Sequence, residues 1–221
     1  MKRVSAYASH ANIKRQYFFL ALFARPVFGQ KYLNRLKEEA IKFEAKNPTW
    51  DNITSEAEIQ GMAPLLYYHF KKTNICPPLS VTKKLQGLFL QHHCSNQVKA
   101  SVLKDILEAL NLAGIPALVL KGGTLCHLLY PEPGLRPMSD LDLLLPDSEI
   151  KKAHSILKNL GFSTPRETGL QKKHLHRKHV PPSSLVRNGV TVGVELHHRL
   201  FTKNEFSDAG YSSLEKFSIF F

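Results

Sequence analysis

Residues 115–145 read IPALVLKGGTLCHLLYPEPGLRPMSDLDLLL, and the order of textures in this stretch decides the fold. Ile115, Pro116, Ala117, Leu118, Val119 and Leu120 form a short continuous apolar run, the pattern of a strand buried on both faces. The run breaks at Lys121, Gly122 and Gly123, which predicts a glycine turn. Residues 124–130 then carry Leu125, Leu128 and Leu129 on one side of a short helix, stopped by Pro131 and Pro133. A loop containing Gly134, Arg136 and Ser139 leads to residues 141–145, which are strand-like again.

Two acids head this second strand. Positions i and i+2 of a strand project to the same face, so Asp140 and Asp142 converge while Leu141 points to the core. Paired hard oxygens suit Mg²⁺, which is held by one or two carboxylates together with phosphate oxygens of a substrate. Glu195 is the candidate third acid, because it lies between Val194 and Leu196 near the end of another strand-like segment. The turn has matching chemistry. Gly122 and Gly123 let backbone approach a phosphate, and a helix start offers unpaired N–H groups and a positive dipole end. Thr124 adds a hydroxyl, while Lys121 and, from the loop before Ser139 and Asp140, Arg136 can pair with phosphate oxygens.

Working outward, Asp147 is expected to cap a helix through Leu160, with Gly161 closing it in a left-handed conformation. Residues 166–187 are rich in Lys and His and poorly periodic. Val190, Val192 and Val194 alternate as a final strand up to Glu195. Upstream the texture is helical: Leu33, Leu36, Ala40, Ile41 and Phe43 recur at helical spacing. Ser55 is a candidate cap before Glu56, Pro64 opens a run through Phe70, and Pro77 and Pro78 precede a long amphipathic pattern over residues 81–112. The expected organisation is a helical N-terminal region at 1–112, a core of strands and helices at 113–200 and a short C-terminal tail at 201–221.

Composition narrows the partners. The 221 residues carry 30 basic and 18 acidic side chains. Residues 1–100 hold 15 basic and 6 acidic, a net +9, against 15 and 12, a net +3, in residues 101–221. The surplus therefore lies outside the acid-bearing region and favours a polyanionic partner such as nucleic acid. Three widely spaced cysteines, Cys76, Cys94 and Cys126, fit neither a disulfide framework nor a zinc knuckle and point to a reducing cytoplasm. The apolar octet at residues 17–24 is too short to span a bilayer, so no membrane span is expected. His174, His176 and His179 lie among Lys172, Lys173, Arg177 and Lys178, which repel a dication, so they read as a basic loop; His197, beside Glu195, can face the acids or pack at the strand end, and packing is the favoured reading.

The run Leu120-Lys121-Gly122-Gly123, followed by Leu128-Leu129-Tyr130-Pro131 and by residues 134–144 with Ser139-Asp140-Leu141-Asp142, resembles the uncharacterised nucleotidyltransferase family of the polymerase-beta-like superfamily. Val194-Glu195-Leu196-His197 is similar to its later acidic strand, and Trp50-Asp51 with Pro64-Leu65-Leu66-Tyr67 to its helical region. The resemblance implies an α+β fold, a small mixed β-sheet nucleotidyltransferase core with a mainly helical N-terminal subdomain. It implies an NTP donor, ATP first among them, and Mg²⁺ or Mn²⁺ on Asp140, Asp142 and Glu195. Nucleotide contacts would come from Lys121, Gly122, Gly123, Thr124, Arg136 and Ser139. Gly123 is followed here by Thr124 where the superfamily often has Gly-Ser, which keeps a hydroxyl. Relatives by this resemblance continue into a helical C-terminal region, so residues 201–221 read as a truncated tail. The expected activity is transfer of a nucleoside monophosphate to an unidentified acceptor; the alternative is a weak or inactive module that binds RNA or a protein.

Overall fold

The computed structural model describes residues 16–26, 29–44, 50–163, 179–200 and 211–214. The chain packs as two compact units, one formed by residues 1–94 with 129–137, the other by residues 95–128 with 138–221. The fold is α+β, as the sequence predicts, with helices and one four-stranded mixed sheet.

The first unit is helical. Residues 16–22 are helical, followed by α1 (Gln30–Glu44), α2 (Trp50–Ile59), α3 (Ala63–Thr73) and the first part of α4 (Leu79–Leu112). Pro64 sits in the first turn of α3, where its missing N–H costs nothing. Asn74 ends that helix in a left-handed conformation, its N–H donating to the Phe70 carbonyl. Ser55 lies inside α2 rather than capping it. The core collects Phe19, Phe23, Leu36, Phe43, Ile53, Leu66, Phe70 and Leu85, and the rings of Phe19 and Phe43 stack with centroids 4.3 Å apart. Of the N-terminal aromatics, Phe19 and Phe23 are buried while Tyr17 and Phe18 are exposed; Phe28 lies outside the described residues.

One buried imidazole gives this unit a pH dependence. His69 is buried and its Nε2 donates to the Arg25 carbonyl at 2.8 Å. Burial pushes its pKa down to about 4, against the smaller upward pull of that carbonyl. The unfolded chain takes up a proton below about pH 6.5 that the folded chain refuses. Stability is therefore expected to fall by roughly 3 kcal/mol as pH drops from about 6.5 to about 4. Urea titrations followed by Trp50 fluorescence should show this slope in the wild type and a flatter one in His69→Gln, whose amide can still donate to Arg25.

The second unit holds the sheet, in the order β1-β2-β4-β3: β1 (Leu118–Leu120), β2 (Asp140–Leu144), β3 (Ser183–Arg187) and β4 (Val190–His197). β1 and β3 run antiparallel to their neighbours, whereas β2 and β4 are parallel. Helix α5 (Lys121–Leu128) follows β1, and α6 (Ile150–Asn159) follows β2. The core packs Leu141 and Leu143 of β2 and Val192, Val194 and Leu196 of β4 with Ile106 and Leu110 of α4 and with Ile150, Ala153 and Leu157 of α6. That alternation commits the opposite face of the same two strands to Asp140, Asp142 and Glu195.

Several local expectations are corrected. α5 begins at Lys121 rather than Thr124, and its buried face is Gly122, Gly123 and Cys126, with Leu128 exposed. Asp147 makes no capping hydrogen bond; it opens a 3₁₀ turn (Asp147–Glu149), and its Oδ1 lies 3.2 Å from Nδ1 of His198. Gly161, by contrast, has the expected positive φ of 90°. The strand β3 lies at the end of the Lys- and His-rich stretch whose sequence is poorly periodic. Asn188 and Gly189, with φ of 51° and 75°, form the two-residue turn that joins it to β4. Cys76, Cys94 and Cys126 are all free thiols. Among the described residues no helix is long and apolar enough to cross a membrane.

Candidate active site

The register of the sheet brings the acids together. Asp142 is the partner of Leu120 on one side and of Glu195 on the other, and Asp140 is the partner of Gly193. Parallel partners share a face, so Asp140, Asp142 and Glu195 stand on the side away from the core. Asp142 is 1% exposed, which an ionised carboxylate tolerates only with donors around it. Two are present, both on Oδ1: Nζ of Lys121 at 2.6 Å and Nε2 of His197 at 2.7 Å. A carboxylate oxygen only accepts, so in this arrangement Nε2 of His197 carries a proton.

Burial alone would raise the Asp142 pKa. The hydrogen bonds from His197 and Lys121 and the Lys121 charge outweigh it and hold the carboxyl below its usual range. Lys121 responds in kind: desolvation pulls its ammonium down, but Asp142, then Asp140 and Glu195, raise it above its ordinary value. All three acids thus act on one ammonium.

His197 was expected to pack; instead it faces the acids, with Nε2 also 3.4 Å from Oε2 of Glu195. The signal was in the spacing, since residue 197 lies two positions beyond Glu195 on the same strand face. His179 joins from a bridge with His197, its Nε2 3.7 Å from the same Glu195 oxygen. His174 and His176 lie outside the described residues. One donor atom each from Asp142, Glu195 and His197 lie within 4.8 Å of one another, a grouping that can hold a metal ion. Its two carboxylates suit a hard ion such as Mg²⁺ or Mn²⁺, while its imidazole is a ligand for softer transition metals, and Nε2 of that imidazole already donates to Asp142. Asp140, expected as a metal ligand, is not one of this group; it is partly exposed and accepts from the Ser139 hydroxyl at 2.6 Å.

Lys99 is a second residue that sequence reading passed over. It is 6% exposed, and its ammonium donates to the Met138 carbonyl, two residues before Asp140. Burial lowers its pKa, with the Asp140 charge opposing. Its signal was the stripe Asn96, Lys99, Leu103, Ile106 and Leu110, whose three- and four-residue steps place Lys99 on the buried face of α4.

The junction of β1 and α5 is built for close packing. Lys121 has a φ of 48°, unusual for a residue with a Cβ. Thr124 donates its hydroxyl proton to the Val119 carbonyl at 2.6 Å, tying the first turn of α5 to β1. A Cβ on Gly123 would stand 2.7 Å from Cγ1 of Val119. Gly123→Ala is therefore expected to destabilise the chain by about 1–3 kcal/mol. Adding Val119→Ala should recover part of that loss if the clash is its cause, as thermal melts of the single and double variants would show. Arg136 belongs to the helical unit, where its Nη1 lies 3.5 Å from the Pro137 carbonyl.

Residues 46–216 match the model of the uncharacterised nucleotidyltransferase family, and the chain belongs to that family. No curated protein matches it significantly.

Proposed function

We propose that the chain transfers a nucleoside monophosphate from an NTP, ATP first, to an acceptor hydroxyl or phosphate with release of pyrophosphate. What supports this reading most directly is the pairing of Asp142 with Glu195 across parallel strands, with Asp140 two residues away on the same face. In this reading Asp140, Asp142 and Glu195 would hold Mg²⁺ or Mn²⁺, and the bound metal supplies neutralisation of phosphate charge. His197 fixes the orientation of Asp142 by its hydrogen bond. Glu195 helps orient the acceptor and takes its proton. Lys121 and the backbone at Gly122 and Gly123 meet the triphosphate, with Ser139 and Thr124 beside it. The nature of the acceptor follows from elements around the site rather than from the acids themselves.

Incubating the protein with each labelled NTP, Mg²⁺ and a cell extract tests the reading, with Asp140→Ala and Glu195→Ala as controls. Label transfer lost in both variants is the expected result. No transfer, together with equal triphosphate affinity in wild type and variants, would sink it. The basic surplus of residues 1–100 favours a second reading, a non-catalytic module that holds RNA. Its mark is an RNA affinity that falls steeply with salt and ignores both substitutions.

A further inference from the structure

The position proposed for a divalent ion already has a cation beside it. Nζ of Lys121 is 2.6 Å from Oδ1 of Asp142, and the charges of Asp140 and Glu195 act on the same ammonium. The lysine reaches it from a left-handed backbone conformation, φ 48°, at the junction of β1 and α5. Its side chain is 52% exposed while Asp142 is 1% exposed. The carboxylate is fixed and the ammonium is free to leave toward solvent. A divalent ion on Asp142 would stand within a few ångströms of this ammonium, and like charges that close repel.

We infer that Lys121 is an internal counter-ion that holds the acid cluster together without metal, and that metal displaces its ammonium from Asp142 onto the triphosphate. Lys121 then serves two states of one site. It offsets the repulsion among Asp140, Asp142 and Glu195 when no metal is bound, and it neutralises phosphate charge once metal and nucleotide arrive. Metal binding and nucleotide binding become linked through one side chain, because the ammonium released by the first is delivered to the second. The inference rests on the proposed metal site, and its test separates the two.

Mn²⁺ alone, with no nucleotide, is titrated into the full chain and followed by its paramagnetic resonance signal. Wild type is compared with Lys121→Met, Lys121→Gly and Asp142→Asn. Glycine relieves the left-handed backbone as it removes the ammonium, so that variant keeps the fold if methionine does not. The expected result is Mn²⁺ binding about ten-fold tighter in both Lys121 variants, the scale of removing one partly screened charge, and binding lost in Asp142→Asn. ATP affinity at saturating Mn²⁺ should fall several-fold in the same two variants. Mn²⁺ binding equal to or weaker than wild type in both would overturn the displacement and leave the nucleotidyltransferase reading standing. An absence of Mn²⁺ binding in every chain would overturn both.

Discussion

Asp142→Asn is expected to lower nucleotide transfer by roughly a thousandfold, equivalent to about 4 kcal/mol of transition-state stabilisation. The substitution keeps the shape of the side chain and removes its charge, so the loss reads electrostatics rather than packing. Oδ1 of Asp142 accepts from both Lys121 and His197, and an amide oxygen can still accept from both, so the charge is what is lost. Initial rates of pyrophosphate release, with circular dichroism melts as a check on folding, measure the effect. A variant that melts like wild type and retains more than about a tenth of the rate would remove Asp142 from the chemistry. The same change alters the acid limb of stability. Because the folded carboxyl sits below its ordinary pKa, its contribution is present above the unfolded value and is lost as pH falls through the folded one. Asp142→Asn should flatten that limb.

Leu143→Ala carries the largest expected effect on stability, about 3–5 kcal/mol. Leu143 is fully buried on the central strand β2, packed in the core between sheet and helices and flanked by both neighbouring strands. Little around it can collapse into the space a leucine leaves. Urea unfolding followed by far-UV circular dichroism should show the midpoint shift with little change in slope. A loss under about 1 kcal/mol would mean that the sheet tolerates a void at its centre. The site should suffer with the fold, since Leu143 follows Asp142 and its Cα partner Leu196 follows Glu195.

Local pattern carried much of this architecture. The apolar run before Lys121, the proline stops and the alternation of Val190, Val192 and Val194 are signals contained in a few residues; the run does yield a strand, but a three-residue, partly buried edge strand rather than one buried on both faces. The same alternation made the Asp140 and Asp142 pair legible. Pairing between strands was less so, because the parallel register of β2 with β4 is decided by long-range packing. The hairpin that adds β3 was legible in principle, since Asn188-Gly189 is a strong two-residue turn signal; the charged and irregular texture before it drew attention away. The start of α5 was misplaced because glycines suggest a turn, whereas Gly123 is small to admit Val119. A polar residue on an apolar stripe, as Lys99 is, reads as exposed, and a histidine at a strand end, as His197 is, reads as packing, until its face is followed residue by residue.

The parallel pairing of β2 and β4 also orders events during synthesis. Asp142 and His197 are 55 positions apart in the chain, so a growing polypeptide exposes its first two acids well before the strand that completes the cluster. A lone Asp pair is a poor trap for a divalent ion. In the proposed reading, affinity for metal and nucleotide would be acquired late and all at once, when β4 closes beside β2, and a ligand added afterwards would report that this half of the molecule has finished folding.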